Sequence, residues 1–193
     1  MDLEDGSKSD PISVLDLKLS KAEPYPTGGI NACVAVALFR SKSGINALLM
    51  RRSERDDDFW SGQIAFPGGG RENVDKSCHD TAIREMMEEM GLDLSANSKF
   101  LGYLKPLSAQ HGGITVAPCV FWLQKEQEIH PNGMEVSSYK WIPLSKFSEN
   151  PDGSIHDVTM RGEKLSVPSF EYDGYIIWGL TYHIIKRLVA FII

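Results

Sequence analysis

Three carboxylates, Glu85, Glu88 and Glu89, recur at helical spacing in the stretch Arg84-Glu85-Met86-Met87-Glu88-Glu89-Met90-Gly91-Leu92, which follows a Phe66-Pro67-Gly68-Gly69-Gly70 turn. At 3.6 residues per turn they fall within about 100° of one another on a helix surface, with Arg84 beside them. Ala82, Ile83, Met86, Met87 and Met90 take the other side. An acidic stripe opposite an apolar one is also what any solvated amphipathic helix shows. Two electrostatic features weigh against that plainer reading. Glu85 repels Glu88 and Glu89 at the i,i+3 and i,i+4 spacings. All three also precede Gly91, the expected left-handed C′ residue, at the negative end of the helix dipole, where a helix built only for stability carries Lys or Arg. A bound cation removes both penalties. Hard oxygen donors with room for water suit Mg²⁺ or Mn²⁺, and Arg84 would hold one carboxylate in place by a charge-assisted hydrogen bond.

The stretch from Gly69 to Leu92 resembles the signature of the Nudix hydrolases, G-x5-E-x7-R-E-U-x-E-E-x-G-U with U aliphatic. Its second half is complete if Met86 counts as aliphatic. Its first half departs. Counting back from Arg84 puts Gly70 at the leading glycine and Lys76 at the first acid, whereas aligning the Phe-Pro-Gly-Gly turn gives Gly69 and Asp75 with one extra residue before Arg84. The second register keeps a carboxylate and is preferred. That insertion is itself similar to the coenzyme A pyrophosphatase branch. So are Leu48-Leu49-Met50-Arg51-Arg52-Ser53, Ser61 to Gly69, Gly113 to Pro118, Val167 to Phe170 and Ile177 to Thr181, so that the resemblance spans residues 30 to 187. Asp56-Asp57-Asp58 departs from it, standing where many members carry basic or His residues, and three aspartates would not attract an anionic substrate.

The resemblance implies an α/β fold, the Nudix α/β/α sandwich with a central mixed β-sheet, and hydrolysis of a diphosphate linked to another moiety. Coenzyme A or its thioesters lead as substrate, with ADP-ribose, dinucleotides and oxidised nucleotides as alternatives, or a binding module without turnover. Arg84, Glu85, Glu88 and Glu89 are the expected catalytic set; Gly69, Glu85, Glu88 and Glu89 the metal set. Arg51, Arg52, Gly68 and Gly69 are expected to meet substrate, and Asp75 and Glu135 to be auxiliary. Glu85, Glu89 and, more remotely, Glu135 are the candidate bases. Glycine at 68 and 69 lets backbone approach the site with no Cβ between. Trp60 and Trp178 could stack on adenine, although core burial is commoner; a lone loop His111 is more often solvent exposed; and Cys78 has no recognisable partner base.

Stepping out from these residues, Ala32 to Phe39 and Ala47 to Arg51 read as strands around a Ser43-Gly44 turn. Lys76 to Met90 reads as the acidic helix, capped by Asp75 or Ser77. Phe100 to Pro106, Ile114 to Gln124 and Ser138 to Ile142 read as strands, and Tyr175 to Phe191 as a closing helix. Residues 1–28 read as a polar lead-in with about one helical turn, and 29–193 as one domain. With 193 residues and 42% hydrophobic content, the chain suits a single core. A net charge of −6 and no basic run argue against nucleic acid as partner. Cys33, Cys78 and Cys119 form neither a zinc pattern nor an even disulfide set. No apolar leader, spanning segment or C-terminal peroxisomal address is visible, so a cytoplasmic protein acting on small molecules, away from membranes, is expected.

Overall fold

The computed structural model describes residues 10–24, 32–55, 58, 60–109, 113–150, 153–160 and 162–192. His111, Asp56 and Asp57, singled out above, lie outside them. In chain order the elements are α1 (Pro11–Lys18), β1 (Ala32–Ser41), β2 (Gly44–Arg52), β3 (Ile64–Ala65), β4 (Gly68–Gly69), α2 (Cys78–Met90), α3 (Leu94–Asn97) and β5 (Ser98–Tyr103). There follow β6 (Leu107–Ser108), β7 (Thr115–Leu123), β8 (Val136–Pro143), α4 (Ser145–Glu149), β9 (Ser154–Met160), β10 (Glu163–Tyr172), β11 (Tyr175–Trp178) and α5 (Gly179–Ile192).

The main sheet runs β3-β2-β1-β7-β5, with β4 paired to β1, β6 to β7 and β8 to β2. It is mixed, because β1 and β7 pair in parallel while β1 pairs antiparallel with β2 and β4. Period-2 alternation divides its side chains between two cores. Cys33, Ala35, Ala37 and Phe39 of β1, with Ala117, Cys119 and Phe121 of β7, pack under α2. Val36, Leu38, Leu49 and Val120 face the opposite side, where Leu15 of α1 and Ile184, Ile185 and Leu188 of α5 cover them. Alanines at 35, 37, 82 and 117 bring α2 close to the sheet, which is what holds its carboxylates against the β4 turn. The expected sandwich is therefore present.

Three departures from the sequence reading have physical causes. The lead-in contains two turns of helix rather than one: Asp10 caps it, Pro11 opens it, and Leu15 is wholly buried against the core. The closing helix begins later than the periodicity implied, because Tyr175-Ile176-Ile177-Trp178, a β-favouring run, pairs with β10 and the chain turns into α5 at Gly179 (φ 59°). A second sheet, β11-β10-β9, was not anticipated. β9 and most of β10 have one exposed face and one only half-buried face, so polar and apolar residues do not alternate cleanly along them. Among the described residues no helix is long and apolar enough to cross a membrane.

Candidate functional site

The acidic helix α2 is framed at both ends by local sequence. Ser77 is its N-cap, its side chain accepting from the Asp80 amide, which resolves the choice between Asp75 and Ser77. Gly91 ends it in the left-handed conformation (φ 62°), its amide donating to Met87 O. The last carbonyls are claimed by a loop: His130 N donates to Met90 O at 2.9 Å and Asn132 N to Glu89 O at 2.8 Å. The same loop carries Glu135, whose carbonyl is bonded by Ser53 N at 2.8 Å, to the side of the site where β2 ends.

The three helix carboxylates do not share one environment. Glu89 is buried at 3% exposure, and the Gly68 amide donates to its Oε2 at 2.9 Å. Glu85 lies against the neighbouring glycine, so close that a Cβ on Gly69 would stand 2.3 Å from its Oε1. Glu88 is turned outward, its side chain 54% exposed and paired with Arg84 Nη1 at 2.9 Å. Adjacent helix residues are about 100° apart, so with Glu89 aimed at the β4 turn, Glu88 must sit at the rim. Met87, placed above on the apolar side, is likewise exposed, at 54%.

Arg84 does more than hold one carboxylate. It reaches Asp75 Oδ2 at 3.0 Å, Glu85 Oε1 at 3.0 Å, Glu88 Oε2 at 2.9 Å and the Gly70 carbonyl at 3.0 Å. Asp75 is the anchor of this fork and is itself buried, accepting also from Glu72 N at 2.9 Å and Thr81 Oγ1 at 3.1 Å. Burial alone would raise its pKa, but the Arg84 guanidinium and these donors hold it below the usual carboxylate range. Asp75 is therefore tied to the site through Arg84, its oxygens taken up by Arg84, Glu72 N and Thr81. Asp75→Ala should cost about 1–3 kcal/mol of stability by leaving these donors unpaired, while lowering turnover less than loss of Glu89; urea unfolding and kcat at saturating metal check both.

The arginine pair of β2 is split between faces. Arg52 approaches Glu89 Oε1 at 3.8 Å and is held by Asp58 Oδ2 at 2.9 Å (Nε) and 2.7 Å (Nη2). Arg51 instead donates to the Gly174 carbonyl at 2.7 Å and lies over the Tyr175 ring, on the side of the second sheet. The structure thus separates the two: Arg52 lies beside the carboxylates, whereas Arg51 is engaged at the second sheet. Asp58, read from sequence as a repulsive charge, is the partner that restrains Arg52. No spacing signal could have found that pairing.

The electrostatics are those of a site short of positive charge. Burial pushes the Glu89 carboxyl up to about 8, against the Gly68 amide and Arg52, which favour ionisation, and with Glu85 and Glu135 adding repulsion. Burial also raises Glu85, partly offset by Arg84, with Glu88 and Glu135 adding to the rise. Hard oxygens, crowded and raised, are a donor set that fits Mg²⁺ or Mn²⁺. Among the described residues no three acidic, His or Cys side chains are already drawn into a metal-holding group. Glu88 is the one turned away, towards Arg84, so the fit rests first on Glu85, Glu89 and the glycine turn.

A pH dependence follows. Glu89's folded pKa lies above the ordinary glutamate value near 4.3, so between roughly pH 4.5 and 8 the metal-free folded state binds the extra proton, and stability falls as pH rises through that window. Thermal unfolding in chelator from pH 5 to 9 should show a smaller decline for Glu89→Gln than for the unchanged protein.

Of the remaining expectations, Cys33, Cys78 and Cys119 are free and buried. Trp178 is half-buried in β11 and Trp60 lies in the turn after Asp58.

A model of the NUDIX domain family matches residues 30–161. The uncharacterized Nudix hydrolase NudL of Photorhabdus laumondii is 36% identical over 141 residues, covering 73% of this chain and 74% of that protein. Nudix hydrolase 22, chloroplastic, of Arabidopsis thaliana is 32% identical over 162 residues, covering 81% of this chain but 53% of that protein, so this chain spans about half of the plant relative. Among solved structures, a MutT/nudix family protein from Enterococcus faecalis superposes with a TM-score of 0.52 at 16% identity over 97% of this chain and 76% of that one. That likeness is one of fold.

Proposed function

Since the chain belongs to the Nudix hydrolase family, whose members act on nucleoside diphosphate derivatives, we propose that it hydrolyses the diphosphate linkage of coenzyme A or its thioesters, giving 3′,5′-ADP and 4′-phosphopantetheine. The observation that carries the chemistry is Glu89, a carboxylate buried at the β4 turn and bonded to the Gly68 amide, with the Glu85 carboxylate against the next glycine. Nothing in core packing requires a charge there, and burying one is costly unless something compensates it.

Nudix hydrolases generally use divalent cations such as Mg²⁺ or Mn²⁺; bound here, the cation would neutralise phosphate charge and acidify a water. Glu89 and Glu85, with the Gly69 backbone, would hold it, Glu88 joining from the rim. Arg84 fixes Glu85 and Glu88 from one side and is itself fixed by Asp75. Arg52, part-exposed beside Glu89, is the cation available to a phosphate oxygen once Asp58 shares it. Glu85 and Glu89 are the carboxylates we assign to take the proton from the attacking water, with Glu135 the more remote candidate.

The coenzyme A assignment is supported by the segments that resemble that branch, now seen on β2, on the approach to the β4 turn, on β7 and at the junction of β10, β11 and α5. Asp58 is no obstacle to an anionic substrate, because it is neutralised by Arg52. The test is kcat/KM for coenzyme A, dephospho-coenzyme A, ADP-ribose, NADH and diadenosine polyphosphates under one metal condition. Coenzyme A should lead by tenfold or more. Preference for another member of the panel would overturn the substrate while leaving the chemistry in place.

A further inference from the structure

The catalytic helix is tethered at its first residue by a side chain from outside the family-matched region. Glu23 Oε1 accepts a hydrogen bond from the Cys78 amide at 2.7 Å, and residue 23 precedes the matched residues 30–161. The segment that delivers it is stitched to β5. Ser20 N donates to Tyr103 O at 3.2 Å, and Tyr103 N donates back to Ser20 O at 2.8 Å. Leu19 is buried, and Gly102 (φ 129°) makes room for the crossing, since a Cβ there would stand 2.6 Å from Ser20 O. On the other side of the same helix residue, Cys119 Sγ donates to the Cys78 carbonyl at 3.4 Å. Cys78 is thus gripped by its N–H and its C=O at once.

The grip matters because the far half of α2 carries the side chains that meet the β4 turn. The Glu85 carboxylate lies where a Cβ on Gly69 would stand, and Glu89 is bonded to Gly68. A helix is a stiff rod over this length, so a shift of its first turn at Cys78 is passed to Glu85 about two turns on. A carboxylate on a first-turn amide also complements the positive end of the helix dipole.

We propose that Glu23 is a positioning residue for the reaction: by holding the start of α2 it sets the distance of Glu85 and Glu89 from the Gly68–Gly69 turn, and the N-terminal segment is thereby a working part of the active site. This rests on the diphosphatase reading above. It predicts that Glu23→Ala and Glu23→Asp, which remove or withdraw the oxygen, raise the Mn²⁺ concentration for half-saturation at least threefold and lower kcat at least threefold, with KM for substrate little changed. Glu23→Gln keeps an acceptor oxygen in place and should stay within twofold of the unchanged protein.

The measurements use the full chain well below each variant's melting transition: steady-state kinetics, Mn²⁺ binding followed by the paramagnetic resonance of the free ion, and hydrogen exchange of the α2 amides. Faster exchange at the start of α2 with weaker Mn²⁺ binding, rescued in Glu23→Gln, is the expected result. Unchanged kcat and Mn²⁺ binding in Glu23→Ala, whatever happens to its melting temperature, would overturn the proposal. Should Glu23→Ala not fold, Glu23→Asp is read by the same criteria. If the unchanged protein binds Mn²⁺ but turns over no diphosphate, the diphosphatase reading fails, and the Glu23 tether is still judged by Mn²⁺ binding and exchange.

Discussion

Glu89→Gln should abolish nearly all metal-dependent turnover while leaving the metal-free protein at least as stable as before. Residues that only support ligands already cost about 10–100-fold when removed, so losing the buried ligand charge should cost more than about 100-fold in kcat/KM. Stability should move the other way. The Glu89 carboxyl is driven up to about 8 by burial, so at pH 8 and above the metal-free fold must carry a charge in a place that disfavours it. Glutamine relieves that cost, on the order of a few kcal/mol, and its amide oxygen can still accept from Gly68 N. Thermal unfolding in chelator at pH 8 beside kcat/KM with Mn²⁺ gives both halves. A variant both inactive and less stable would mean that Glu89 serves the fold. Stability given up for a reactive site is common in enzymes.

The two glycines of β4 should separate folding from function in a comparable way. Gly68→Ala places a Cβ 2.4 Å from Cys33 O and 2.6 Å from Val34 Cα, backbone atoms of the central strand that cannot move aside. The variant should lose about 3 kcal/mol, or roughly 6–12 °C in melting temperature, a large share of the ~5–15 kcal/mol that holds a domain. Gly69→Ala meets instead the end of the Glu85 side chain, at 2.3 Å from Oε1. That chain can rotate, so the fold should survive within about 1 kcal/mol. Turnover should fall by at least tenfold because Glu85 is displaced. Melting temperatures and kcat for the pair decide it, and equal melting temperatures would contradict the assigned packing.

How far the sequence could be read depended on whether a signal was local. The helix Cys78–Met90, its Ser77 cap and its Gly91 stop follow from neighbours within a few residues, and the fold class follows from strands whose apolar residues face two cores. The β9–β10 pair escaped because a ribbon with one exposed face and one only half-buried face imposes little pattern on its sequence. The site divides on the same line. Glu85, Glu89 and the glycine turn come together, the carboxylates suggested by helical spacing and Gly69 by the family resemblance, whereas nothing in the sequence told Arg51, which lies over Tyr175, from Arg52. Asp58 and Glu23 act across contacts that no local spacing encodes, one on Arg52 and the other on Cys78, 55 positions away. Glu88, next to the buried Glu89, sits at the rim and pairs with Arg84.

Cation-dependent hydrolysis of a diphosphate by these residues is tested by incubating the purified protein with coenzyme A in Mg²⁺, in Mn²⁺ and in chelator, with products identified by mass. Release of 3′,5′-ADP and 4′-phosphopantetheine with either cation, and none in chelator or in Glu89→Gln with cation, is the predicted result. Equal product formation in chelator would mean that no cation takes part in the reaction, and undiminished product from Glu89→Gln that Glu89 does not.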